Sequence, residues 1–190
     1  MSTSEARQNW LEAAKKTIAA GFVSMGYEVP ANIRVSIGIP KQRGKGKAIG
    51  QCWAATCTSD NHFEIFVSPV LQTSHEVFGT LVHEMVHAVV GLAAGHKGEF
   101  KTCALKMGLE GKMTSTTMGS QLTGFCDWFT NYNGHYPAGG LIMQTVKKQA
   151  TYLLKCECPD CGYTARVTQK WIEVAGAPVC PCNNEPMEVV

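Results

Sequence analysis

The sequence predicts an α+β fold, with a mixed domain over residues 1–140 and a small cysteine-rich β module over residues 141–190. Stretches with helical spacing of apolar residues alternate with short strand-like runs in the first part of the chain. The composition changes after Gly139-Gly140, and most of the clustered cysteines follow that point. Apolar residues make up 45 % of the chain, which is enough for a hydrophobic core and argues against disorder.

The chain begins with a predicted helix over about residues 4–24, which Gly26 would end. Its apolar residues recur at helical spacing, and they are Trp10, Leu11, Ala14, Ile18 and Phe22. Residues 33–39 then alternate apolar with polar side chains and stop at Pro40, which is typical of a half-buried strand. A basic loop with interspersed glycines follows at 41–47.

Two further β-rich runs, at 49–56 and 62–67, are joined by Thr58-Ser59-Asp60-Asn61. Polar turn residues between two β-rich runs are typical of a hairpin. Together with residues 33–39, they predict a three-stranded antiparallel sheet.

Helices dominate the next segment. A long helix is predicted from Ser74 to Ala94, opened by a capping box at residues 73–76 and closed by Gly95. A shorter helix is predicted over 99–107 and another over 121–132, with a loop rich in Gly, Ser, Thr and Met at 110–120.

The long helix carries the sequence His83-Glu84-Met85-Val86-His87. Residues four apart share a helical face, so His83 and His87 can bind one cation, while Glu84 lies beside it as a base for a metal-activated water. The alternative is a core helix whose histidines make ordinary hydrogen bonds. Polar side chains in so apolar a helix are costly unless compensated, which favours the metal site.

A catalytic zinc ion has three protein ligands and one open position, so a third ligand is needed. His96 is the best candidate because Gly95 lets the chain turn back, and Glu99 is the second choice. The metzincin pattern does not apply, because the chain lacks its Gly and third His at the required spacing. The other histidines are interpreted as surface or hydrogen-bonded residues, and they are His62, His75 and His135.

The tail contains a Cys-x-x-Cys-Gly turn and a second cysteine pair about twenty residues later, a spacing typical of a structural zinc site with four thiolates. The predicted ligands of this zinc ion are Cys158, Cys161, Cys180 and Cys182. Cys156 is left as a spare thiol that could replace one of them. The alternative is a set of reduced cysteines packed as small hydrophobic residues. Residues 163–168 and 171–174 are predicted as strands of this module.

Residues 83–87, followed by Gly95-His96-Lys97-Gly98-Glu99-Phe100, resemble the SprT-like (Spartan-type) metallopeptidases. Tyr136-Pro137 and the segment from Cys158 through Trp171 resemble the zinc-ribbon tail of bacterial and phage members. Lys97 departs from the Gly that the family usually has there. The resemblance implies a small zincin-like domain with a zinc ribbon, in which Glu84 is the catalytic base and the three histidines bind zinc. It also implies a protein substrate, with DNA-bound or DNA-crosslinked proteins as one class.

A net charge of +2 permits nucleic-acid binding without requiring it. The candidate nucleic-acid contacts are Lys41, Arg43, Lys45, Lys47, Arg166 and Lys170. The alternative for the basic loop is a solvated hairpin connection. A non-catalytic zinc-ribbon protein associated with nucleic acid or transcription, and a zinc hydrolase with a non-protein substrate, are the competing hypotheses.

The N-terminal residues lack a signal-peptide pattern, and no stretch reaches 18 consecutive apolar residues. The sequence therefore predicts a protein of the cytoplasm or the nucleoid, neither secreted nor in a membrane. A monomer is the expected oligomeric state. An odd number of cysteines, nine, in such a chain argues for metal binding, catalysis or burial rather than a disulfide framework.

Overall fold

A computed structural model describes residues 3–41, 48–137, 139–142 and 153–190. The chain divides into two compact units, Met1–Met143 and Gln144–Val190. The predicted α+β class is confirmed at this level, because the described residues form five α-helices and three small sheets. None of the described helices combines the length and apolarity needed to cross a membrane.

Helix α1 spans Thr3–Ser24 and confirms the predicted N-terminal helix. Its apolar face is fully or almost fully buried, and the residues are those singled out by their spacing: Trp10, Leu11, Ala14, Ile18 and Phe22. Gly26 has a φ of 83°, a left-handed conformation that few other residues adopt, so the chain turns away just after the helix.

The first sheet contains β1 (Ile33–Ile37), β2 (Gly50–Trp53) and β3 (Phe63–Val67), in the order β1-β3-β2. The prediction of an all-antiparallel sheet is wrong, since β1 pairs with β3 in parallel and only β2 and β3 are antiparallel. Only β2 and β3 are joined by a short connection, which contains a 3₁₀ turn at Ala55–Cys57. The longer sequence between β1 and β2 does not require them to be neighbours. As a result, β3 is central and β2 is an edge strand.

Helix α2 spans Ser74–Val90 and starts with the predicted capping box between Thr73 and Glu76. It ends earlier than predicted, because Gly91 adopts a φ of 87° and a separate 3₁₀ turn follows at Leu92–Ala94. Helix α3 spans Glu99–Lys106.

Residues 110–120 do not form the predicted loop. They lie largely in a hairpin of β4 (Leu109–Lys112) and β5 (Ser115–Met118). The glycine and serine content suggested a loop, but threonine is β-branched and favours strands. Helix α4 (Ser120–Asn133) follows, close to the predicted bounds.

The second unit contains β6 (Leu153–Glu157), β7 (Thr164–Thr168), α5 (Gln169–Ala175) and β8 (Glu188–Val189), with strand order β7-β6-β8. The strand predicted at 171–174 is wrong, because these residues lie in α5. A β-rich run of only four residues is too short to separate a strand from a helix. Among residues 153–190, the buried positions are Cys156, Cys158, Cys180 and Met187.

Candidate metal centres

The first centre is built on α2, whose apolar side chains bury it in the main core. The fully buried positions of this helix are Val77, Phe78, Leu81, Val82, Met85 and Val86. His83 and His87 lie one helical turn apart on this helix, with ring centroids separated by 5.3 Å. Packing of the apolar positions therefore fixes the face on which the two imidazoles project.

The third histidine comes from the segment after α2. Gly91, Gly95 and Gly98 all have positive φ, at 87°, 55° and 51°, and these glycines permit the sharp turns that return the chain to the helix. The Nε2 atom of His96 lies 3.2 Å from Nε2 of His83 and 3.2 Å from Nε2 of His87. The ligand atoms of all three histidines lie within 4.8 Å of one another.

The spacing of these nitrogens fits a zinc ion. Two ligands at roughly 2.0–2.1 Å from a tetrahedral zinc are about 3.3–3.4 Å apart, close to the separations of 3.2 Å found here. Glu99, the second choice for a third ligand, is exposed at the start of α3 and is not part of this group. Three imidazoles would fill three of the four positions of a tetrahedral ion.

Burial keeps these histidines neutral. It lowers the pKa of His83 to about 4, with the neighbouring His96 adding to the effect. It also lowers the pKa of His87 to about 3, helped by His83 and His96, and it lowers the pKa of His96. Neutral imidazoles carry the free lone pairs that a metal ion needs.

One side of the cluster is covered by an aromatic ring. The ring of Phe100, which is fully buried, lies 5.1, 4.9 and 4.4 Å from the rings of His83, His96 and His87, measured between centroids. An aromatic ring in contact with all three ligands limits their movement and excludes water from that side.

Two ring nitrogens point away from the cluster and differ in their surroundings. Nδ1 of His83 lies 2.9 Å from Oγ1 of Thr116 on β5. Nδ1 of His87 is buried and has no hydrogen-bond partner among the described residues.

Glu84 is only 7 % exposed and lies against the edge strand β2. A Cβ atom added at Gly50 would be 2.5 Å from its Oε1, which shows how closely the strand covers the carboxyl group. Burial raises the pKa of Glu84 to about 8, while a hydrogen bond from the backbone N–H of Cys52 acts in the opposite direction. A dication held by the histidines would favour the ionised form, because opposite charges attract strongly in a buried site.

The second centre lies in the C-terminal unit. The sulfur atoms of Cys158, Cys161, Cys180 and Cys182 lie within 4.8 Å of one another. The Sγ–Sγ distances are 3.7 Å for Cys158–Cys182, 3.6 Å for Cys161–Cys180 and 3.4 Å for Cys180–Cys182. A tetrahedral zinc with Zn–S bonds of about 2.3 Å would place its sulfurs about 3.8 Å apart. This four-cysteine cluster therefore has the ligands and spacing to bind a metal ion such as zinc.

Local backbone groups prepare this cluster for a cation. Hydrogen bonds from backbone N–H groups, those of Cys161 first and Asp160 next, lower the pKa of Cys158 to about 7. Hydrogen bonding with the sulfurs of Cys161 and Cys180 raises the pKa of Cys182. A metal dication binds thiolates, so it would favour the deprotonated form of closely spaced cysteines such as these.

The remaining cysteines lie outside the cluster. Cys156 is fully buried on β6 and is not one of the four grouped sulfurs. All nine cysteines are free thiols. Cys52, Cys103 and Cys126 are buried, and Cys57 is exposed.

The candidate nucleic-acid contacts are only partly described. Arg43, Lys45 and Lys47 lie outside the described residues, and Lys41 is exposed at the end of the first of those ranges. Arg166 and Lys170 are exposed in the second unit. The histidines interpreted as hydrogen-bonded do have partners, since His62, His75 and His135 contact Asp60, Asp127 and Ser74, respectively.

Sequence patterns did not assign three contributors to the first centre, namely Gly50, Phe100 and Thr116. Phe100 was noted only within the resembling segment, and Thr116 lay in a segment taken for a loop.

Comparison of the chain with family models, curated proteins and solved structures finds no match.

Proposed function

We propose that this protein is a zinc-dependent endopeptidase of the SprT-like kind, with a zinc-ribbon tail. The observation that carries the proposal is the convergence of three neutral imidazoles, with Nε2 separations of 3.2 Å, beside a buried glutamate. Three nitrogen ligands leave an open position, which a catalytic zinc needs and a closed structural site lacks. The resemblance in residues 83–87 and 95–100 agrees with this arrangement.

The roles of the residues follow from their positions. His83, His87 and His96 would hold the zinc ion through their Nε2 atoms. When bound, zinc acidifies water and polarises the carbonyl group of a peptide bond. Glu84, in the next position along α2 after His83, takes a proton from the attacking water and transfers it to the leaving amine. The hydrogen bond from the Cys52 backbone orients its carboxyl group.

The clean test of this mechanism is Glu84→Gln in the full chain, since the amide keeps the shape but cannot accept the proton. We expect zinc content to stay at the wild-type value while cleavage of an unfolded protein substrate is lost. Glu99→Gln is the matched control, because Glu99 is exposed and outside the histidine group. It should keep both zinc and activity. Wild-type cleavage by Glu84→Gln would refute the role of the glutamate.

DNA-associated or DNA-crosslinked proteins are the proposed class of substrate, which requires that the chain contact DNA. Arg166 lies opposite Lys155 in the β6–β7 ladder, and Nζ of Lys170 lies 5.5 Å from the centroid of the half-exposed Trp171 ring. Exposed aromatic rings beside cations are suited to stacking on single-stranded bases.

Titration of the full chain with single-stranded DNA at several salt concentrations tests this contact. Affinity should fall as salt rises, because cations on the protein release counterions from the phosphates. Arg166→Gln should reduce both the affinity and its salt dependence, whereas binding that is absent at low salt would exclude DNA as a partner.

The four-cysteine cluster by itself also fits the second hypothesis, a non-catalytic nucleic-acid-binding protein. Metal analysis distinguishes the two. Two zinc ions per chain, one of which is lost in His96→Ala, support the peptidase. A single zinc ion that is lost only in Cys158→Ala supports the binding protein.

A further inference from the structure

We infer that Thr116 is a positioning residue, which fixes the ring of His83 so that its Nε2 atom faces the metal. This inference rests on the metal site of the proposed function. The contact that carries it is the distance of 2.9 Å between Thr116 Oγ1 and His83 Nδ1, across 33 positions of sequence.

The direction of this hydrogen bond follows from the geometry of the cluster. The Nε2 atoms of the histidines converge, so Nε2 of His83 must present its lone pair to a cation. A neutral imidazole carries one proton, which must then be on Nδ1. Thr116 Oγ1 is placed to accept it. A hydrogen bond at the outer nitrogen selects the tautomer, fixes the ring and makes the ligand more basic.

The hairpin reaches α2 because of a glycine in the helix. A Cβ atom at Gly79 would lie 2.9 Å from Cγ of Met118, two residues after Thr116 on β5. Glycine inside a helix is destabilising relative to alanine. The close approach of β5 to α2 gives that cost a structural reason, and it brings Thr116 within hydrogen-bond distance of His83.

His87 provides an internal contrast. Its Nδ1 atom is buried without a hydrogen-bond partner among the described residues, although its ring contacts Phe100 with centroids 4.4 Å apart. His87 is therefore held by packing, whereas His83 is held by packing together with a directed hydrogen bond. Loss of the Thr116 hydroxyl should affect the metal site through His83 alone.

The test compares Thr116→Val, Thr116→Ala and Thr116→Ser in the full chain, with Thr117→Val as the matched control. Val keeps the shape without an acceptor, and Ser keeps the acceptor. Thr117 is exposed on the opposite face of β5, so its replacement should leave the centre unchanged. Zinc affinity of each site is measured by competition with a chromophoric chelator, and cobalt spectra report separately on the imidazole site and the thiolate site.

We expect Thr116→Val and Thr116→Ala to bind zinc about 10- to 100-fold more weakly at the histidine site, with an altered cobalt spectrum there and an unchanged cysteine site. Thr116→Ser should restore the wild-type affinity. Wild-type affinity in Thr116→Val would overturn the inference. So would an equal loss in Thr116→Ser and Thr116→Ala, since retention of the hydroxyl would then not preserve zinc binding.

These outcomes are separate from those of the proposed function. Tight zinc binding without cleavage in the wild-type chain would refute the peptidase and leave Thr116 as a positioning residue. Cleavage by the wild-type chain, together with unchanged zinc affinity in Thr116→Val, would support the peptidase and overturn the role of Thr116. Should Thr116→Val fail to fold, the comparison of Thr116→Ala with Thr116→Ser decides the question.

Discussion

Replacement of Gly50 by alanine tests how the edge strand β2 holds the proposed catalytic glutamate. The added Cβ would lie 2.5 Å from Oε1 of Glu84, 2.6 Å from Cγ2 of Thr80 and 2.9 Å from Cγ of Glu84. Real Cβ atoms do not make contacts this short, so an atom must move. Thr80 and Glu84 are each 7 % exposed, so neither side chain can relax by turning out into solvent.

The size of the effect follows from the two ways of relieving the contact. If the strand moves outward, overpacking costs about 1–3 kcal/mol and lowers the Tm by several degrees. If the carboxyl group moves, it loses the hydrogen bond from the Cys52 backbone, and a displacement of about 1 Å reduces the rate of cleavage about 100-fold. Since the side chain is tightly enclosed, we expect both effects together, with zinc content unchanged.

The assays are thermal unfolding and cleavage of an unfolded protein, with zinc measured on the same samples. Gly124→Ala is the matched control, because Gly124 lies inside α4 with nothing within 4 Å of an added Cβ. It should stabilise the protein by about 0.5–1 kcal/mol through helix propensity and leave cleavage unchanged. Gly50→Ala with wild-type stability and activity would refute the view that β2 fixes Glu84.

Two further predictions concern the metal centres. Removal of metal with a chelator should unfold the C-terminal unit, because its buried cluster consists of little more than three cysteines and one methionine. Circular dichroism should report the loss of structure, and added zinc should restore the signal. Retention of the signal without metal would contradict this prediction. Cys156→Ala should keep the wild-type number of zinc ions, since Cys156 is outside the sulfur cluster, whereas Cys158→Ala should lose one ion; loss of zinc in both variants would mean that Cys156 is a ligand.

Local patterns predicted the elements of the first centre well. The spacing of His83 and His87 and the capping box before α2 depend on residues near each other in sequence, so the sequence alone is sufficient to identify them. His96 was also predicted, because Gly95 indicates a sharp turn immediately before it. Its actual approach uses Gly91 and Gly98 as well, each with a positive φ that only the structure shows.

What the sequence did not predict depends on contacts between distant segments. The parallel pairing of β1 with β3 is a choice of neighbours, and alternation along a strand does not specify it. The β4–β5 hairpin was taken for a loop because its composition outweighed the β-branched threonines. Since Thr116 lies on that hairpin, its contact with His83 could not be anticipated either.

Gly50 on β2 and Gly79 inside α2 show why the His-Glu-x-x-His sequence is only part of the site. Gly50 lets β2 lie over Glu84, and Gly79 lets β5 lie beside His83, with added Cβ atoms at 2.5 Å and 2.9 Å from their nearest neighbours. A side chain at Gly50 would thus collide with the proposed base itself, and one at Gly79 would collide with Met118 on the strand that carries Thr116. A helix with the same five residues but without β2 over Glu84 and β5 beside His83 would still space the two histidines correctly. It would lack the enclosed carboxylate and the oriented imidazole. Residue spacing along α2 therefore explains which side chains can bind the metal, whereas β2 and β5 explain how the proposed base and His83 are held in position.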